Sequence, residues 1–98
     1  MDCKKIFKAL GDDFRIVESQ GHVFDEGTLI YVKEISKGIY LMFNADGSSN
    51  ESPIQAVIAD YDCAASVGCK SPKQLLFHLR ITGEHSLKYL KSFLKLVA

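Results

Sequence analysis

No stretch of this chain approaches the roughly 18 consecutive apolar residues that a membrane-crossing helix needs, so the sequence offers no helical membrane span. The first apolar stretch (Ile6, Phe7, Ala9, Leu10) is interrupted by Lys8 and follows a charged start, so no secretory leader is expected and the expected location is cytoplasmic, as a soluble protein. Long polar or Pro/Ser-rich tracts are missing as well. Apolar side chains make up 47% of the residues and are spread along the chain, which leaves no segment that composition would assign to disorder. Internal repeats are absent. Cysteine is scarce and odd in number: three residues, with a Cys63 to Cys69 spacing that matches no common disulfide or redox signature, so reduced thiols are expected. Cys3 lies on the apolar stripe of a predicted helix and reads as a small buried hydrophobe.

What remains is a chain of 98 residues, large enough to bury a core without staples and too small for two domains, so a single globular domain over residues 1–98 is expected. Its formal charge is zero, but the charges are unevenly placed. Residues 1–69 hold six Lys/Arg against eleven Asp/Glu and residues 70–98 hold six against one, so −5 and +5 cancel. Such a split suits an anionic partner, self-association, or a folded surface on which the two signs meet again.

The hydrophobic periodicity predicts the element order. Residues 2–10 read as a helix capped by Asp2, with Cys3, Ile6, Phe7 and Leu10 on one stripe, Lys4, Lys5 and Lys8 facing water, and Gly11 as the stop. Residues 14–18 alternate as a half-buried strand. Turn clusters at 19–21 and 25–27 flank a brief His22-Val23-Phe24 segment that reads as a short strand or an extension of the next hairpin. Residues 28–35 and 39–43 form a predicted tight hairpin around Ser36-Lys37-Gly38. After the polar loop 44–53, residues 54–61 have apolar side chains on both faces, which predicts a central strand covered on each side by helices or by a partner. Residues 62–73 read as an irregular connection with a helical turn near 64–67. Residues 74–82 fit either a strand or a helix. Strict alternation of Leu75, Phe77, Leu79 and Ile81 with Leu76, His78, Arg80 and Thr82 favours the strand. Residues 84–97 form the strongest predicted helix, in which Leu87, Tyr89, Leu90, Phe93, Leu94, Leu96 and Val97 cover a wide arc opposite Lys88, Lys91 and Lys95. The expected fold is therefore α+β, an antiparallel sheet of about five strands with an N-terminal and a C-terminal helix in the order α-β-β-β-β-β-α.

No residue pattern names a chemistry. Cysteines 3, 63 and 69 with His22, His78 and His85 allow several nucleophile–base pairings, but none has a context that enforces geometry, and surface histidines with buried thiols explain them better. The ligands Cys63, Cys69, His78 and His85 suit zinc chemically, yet they lack the close pair spacing of zinc sites. Asn44, Asp46 and Ser48 offer oxygen ligands with Gly47 misplaced for a calcium loop, and a solvated loop accounts for them. The Asn50-Glu51-Ser52 triplet has no expected access to glycosylation. Neither a cofactor, a metal nor a catalytic set is expected.

Two charged surfaces carry the functional expectations. Asp12, Asp13, Glu18, Asp25, Glu26 and Glu34 cluster near the N-terminal hairpins and suit the steering of a protein partner. Lys70, Lys73, Arg80, Lys88, Lys91 and Lys95 suit phosphate contacts, although no interleaved Arg or aromatic residues accompany the lysine stripe and no nucleic-acid-binding signature appears. The sequence favours a non-catalytic protein-binding module of the inhibitor, immunity or adaptor type, with a second copy docked through the C-terminal helix or a sheet edge as one form of partner. The alternative is a nucleic-acid-associated regulator using the basic C-terminal third. A small enzyme without a readable motif comes third.

Overall fold

In a computed structural model of the chain, residues 3–45 and 54–97 are described. The elements are α1 (Cys3–Leu10), β1 (Arg15–Glu18), β2 (Leu29–Ser36), β3 (Ile39–Asn44), β4 (Ile54–Asp60), β5 (Gln74–Ile81) and α2 (Glu84–Val97), with a 3-10 turn at Ala64–Ser66. The fold is α+β, with the expected order of elements. Five strands pair antiparallel in chain order, β1-β2-β3-β4-β5, so every strand lies beside its sequence neighbours. The Asp2 cap, the Cys3 side chain and the 46–53 segment with its Asn-Glu-Ser triplet lie outside the described residues.

Alternation along the strands creates two cores on opposite faces of the sheet. On one face Leu41, Phe43, Ile54, Ala56, Ile58 and Ile81 meet Ile6 of α1 and Leu87 and Leu90 of α2. Both helices therefore cover the same side. Phe7 of α1 is fixed there by an edge-on contact with Tyr31, ring centroids 4.9 Å apart, and by contacts with Phe14 and Phe43. On the other face Ile30, Val32, Tyr40, Met42, Val57 and Ala59 are covered by Val23 and Phe24 from the β1–β2 loop and by Tyr61 and Val67 from the β4–β5 loop. Neither α1 nor α2 lies on that side. β4 is indeed buried on both faces, but helices cover only one of them and loops cover the other.

Three details depart from the sequence expectation. Residues 22–24 form bends rather than a strand, because Ser19 draws the loop inward: its hydroxyl donates to the Phe24 carbonyl at 2.8 Å and accepts from the Gly21 N–H at 3.2 Å. Val23 and Phe24 are spent on the core instead of on a ladder. The 74–82 segment forms a strand over Gln74–Ile81, as the alternation predicts, but that alternation is not strict. Ile58 pairs with Phe77 and Ala59 with Leu75, so Leu76 is an extra residue. This bulge turns Leu76 and Phe77 both toward the helices and transfers Leu75 to the loop side, beside His78 and Arg80. Finally, the wide apolar arc of α2 is only partly used: Leu87 and Leu90 are buried and Phe93 stacks on Phe77 with centroids 4.5 Å apart, whereas Tyr89 and Leu96 remain 58% and 81% exposed.

Candidate functional site

The two charged sets read from the sequence are distributed by the strand register. Asp12 and Asp13 precede β1 and lie with Glu34 at one end of the β1–β2 pair, where Arg15 faces Val32. Glu18, Asp25 and Glu26 lie at the other end, where Glu18 faces Leu29. The acidic residues thus form two groups along one edge, separated by the length of β1, about 10 Å. Asp13 is engaged within the fold: Lys33 Nζ donates to its carboxylate at 2.8 Å and also to the Leu10 carbonyl, tying the α1–β1 connection to β2. That hydrogen bond, more than any other influence, holds the Asp13 carboxyl below its ordinary value. Glu34 accepts from the Gly38 N–H at 3.2 Å, closing the β2–β3 hairpin.

The basic set is divided by the sheet itself. Lys70 and Lys73 sit on the β4–β5 loop, with Lys73 Nζ 3.5 Å from Asp62. Arg80 is on the loop-side face of β5, where it is the cross-strand partner of Gln55. Lys88, Lys91 and Lys95 belong to α2, on the opposite side.

A different grouping emerges in three dimensions. α1 contributes three lysines and no acid, and α2 three lysines and one acid, Glu84. All six lysines are exposed. Between the helices runs a groove of about 310 Å³ in which Lys5 and Lys8 face Lys91, with Ala9 and Leu87 as the apolar floor and Glu84 at its border. Its origin is local. Helical periodicity sends Ile6 of α1 and Leu87 and Leu90 of α2 into the shared core, so the neighbouring lysine positions are left on the two banks. Lys5 and Lys8 belong to the half of the chain whose charge sum is acidic, which hid their association with Lys91. The sequence carried no signal for this meeting, because either apolar face of the sheet could have buried either helical stripe, and only the packing of Ile6, Leu87 and Leu90 into one core brings the lysines together.

The remaining chemistry-bearing residues do not converge. Among the described residues no group of three or more His, Cys, Asp or Glu side chains could hold a metal ion. His22 Nδ1 lies 3.3 Å from Ser71 Oγ and His78 Nε2 lies 3.2 Å from Gln55 Oε1, while His85 packs edge-on against Tyr89 in the helix layer. Cys63 begins the 3-10 turn, where the Ser66 hydroxyl, the Ala65 and Ser66 N–H groups and the charge of Lys70 hold its exposed thiol below the ordinary value. Cys69 is contacted instead by the Gln20 amide at 3.6 Å. Desolvation raises the Tyr40 and Tyr61 hydroxyls, and Tyr61 donates to the Met42 sulfur at 3.8 Å. Among the described residues no buried side-chain polar atom lacks a partner. No described helix is long and apolar enough to cross a membrane. Comparison with protein-family models, with curated proteins and with solved structures found no match to the chain.

Proposed function

We propose that this chain is a non-catalytic protein-binding module whose docking face is the helix layer, with the α1–α2 groove receiving an acidic, partly apolar segment of the partner. The observation that carries the reading is the meeting of Lys5 and Lys8 with Lys91 over the floor of Ala9 and Leu87. Six exposed lysines against one glutamate give the helix layer a positive field that would steer an acidic partner, and attraction of this kind acts mainly on the association rate. Ala9 and Leu87, at the floor of the groove, supply the apolar contact that charge alone lacks. A protein fits this surface better than a nucleic acid. Both arginines, Arg15 and Arg80, lie on the loop-side face, so the helix layer has no planar fork for bidentate phosphate contacts, and Glu84 stands at the groove.

The test uses a fluorescent peptide in which Asp and Glu alternate with Leu and Phe. Wild-type protein should bind it with an affinity that falls with salt. The combined K5E, K8E and K91E variant should bind at least about tenfold more weakly, while K70E with K73E should change little. Equal binding by the groove variant would remove the proposal. Tighter retention of duplex DNA or single-stranded RNA at low salt, abolished by the same three changes, would replace it with the nucleic-acid reading.

A further inference from the structure

A second concavity lies on the opposite side of the sheet, and its chemistry differs from that of the lysine groove. It encloses about 270 Å³ between the β1–β2 loop, Pro72 and the loop-side face of β4 and β5, lined by His22, Val23, Gln55, Val57, Leu75 and His78 with Pro72. We propose that this recess binds a small organic acid with an apolar body, a single-ring or branched aliphatic carboxylate. The volume sits just below the range of sites for drug-sized ligands, which suits one ring.

The walls and the donors are placed independently. Val23, Val57, Pro72 and Leu75 make the apolar sides, and Leu75 is there only because the bulge at Leu76 moves it to this face. Leu75 is 53% exposed, a large hydrophobe that the fold itself leaves uncovered. At the polar end, His78 Nε2–H can donate to Gln55 Oε1 at 3.2 Å, which leaves the Gln55 amide nitrogen with both hydrogens for a ligand. Ser71 Oγ–H can donate to His22 Nδ1, the tautomer in which Nε2–H of His22 is also a donor. Arg80 stands directly across from Gln55 on the same face, and its side chain makes no hydrogen bond or ion pair among the described residues. None of the lining residues is acidic. A recess with apolar walls and with amide and imidazole donors, and with Arg80 two residues beyond His78 on the same face of β5, is complementary to a carboxylate: one oxygen would accept from Gln55 and the other from Arg80 reaching over from outside the lining, while the body lies on Val57 and Leu75.

Titration of the full chain with benzoate, acetate and benzamide, followed by backbone amide NMR shifts, tests the assignment. Benzoate should give saturable shifts at Gln55, Val57, Leu75 and His78. Acetate, which lacks the body, and benzamide, which lacks the charge, should each bind at least about tenfold more weakly. Arg80→Gln and Leu75→Ser change exposed side chains and should each weaken benzoate, whereas Lys91→Gln in the helix groove should not. The proposal is overturned if no saturable shift appears, if acetate matches benzoate, if the shifts map to α1 and α2, or if Arg80→Gln leaves the affinity unchanged in a protein whose spectrum remains dispersed.

Discussion

A β-carbon at Gly68 would lie 2.8 Å from Val17 Cγ1 and 3.4 Å from the Glu18 carbonyl oxygen, at a backbone φ of +82°. Gly27, at φ +89°, has nothing within 4 Å of the same position. The pair separates backbone cost from packing cost. Gly27→Ala should lose about 1 kcal/mol from the conformation alone, and Gly68→Ala about 2 kcal/mol or more because the Val17 side chain must also give way, both read as shifts in the urea midpoint. Asp13 gives a pH signature. Its carboxyl is held below 3.8 in the folded state, so the contribution of the Lys33 contact is present above the unfolded-state value and is lost as the pH falls through the lower folded-state value. The stability difference between wild type and Asp13→Asn should therefore shrink on acidification below about pH 3.8, as measured by urea unfolding across that range. Cys63 gives a reactivity signature: as an exposed thiol held below its ordinary value, it should be alkylated by iodoacetamide ahead of Cys69, and Ser66→Ala should slow it. Peptide mass spectrometry over a time course distinguishes the two sites.

At the scale of elements, α2 shows how far periodicity can be read. Its length and apolar arc are visible in the sequence because helical neighbours are fixed by the 3.6-residue turn, but which part of the arc meets the sheet depends on where α1 and β5 lie. Leu90 is wholly buried and Leu96 is 81% exposed, although both fall on the same predicted arc. Leu90→Ala should thus cost about 3 kcal/mol and Leu96→Ala less than about 0.5 kcal/mol in the same unfolding measurement. β5 shows the complementary limit. The alternation of Leu75, Phe77, Leu79 and Ile81 marked it as a strand, and it is one. The bulge at Leu76 left no mark, since Leu75 and Leu76 are the same residue type and only the pairing with Ile58 and Ala59 decides which of them turns inward. The recess wall was invisible for that reason, and so was the coincidence of His22 with His78, which are 56 positions apart in the chain. The bends at 22–24 leave no mark in the sequence, because Val23 and Phe24 look the same whether they extend a strand or plug a core.

Across the whole molecule, the charge asymmetry of the chain and that of the surface are not the same. The division at Cys69 places Lys4, Lys5 and Lys8 with the acidic residues, whereas the fold places them beside Lys88, Lys91 and Lys95 in one layer. A protein of zero formal charge should accordingly bind a negatively charged exchange resin near neutral pH. The variant carrying K5Q, K8Q and K91Q should elute at lower salt than one carrying K70Q, K73Q and R80Q, although both lose three charges. A meander in which each strand pairs with the next one in the chain also has a kinetic meaning. Its ladders close short loops, which keeps the entropic barrier to their formation low. The 61–73 loop is the exception: it reaches back to β1 and the loop that follows it, where Arg15 donates to the Ala64 carbonyl, 49 positions away, and Gln20 N–H donates to the Gly68 carbonyl. Docking of this strap should be the late event of folding and its release the first step of local opening, so the Gln20 amide should exchange with deuterated solvent faster than amides of β3.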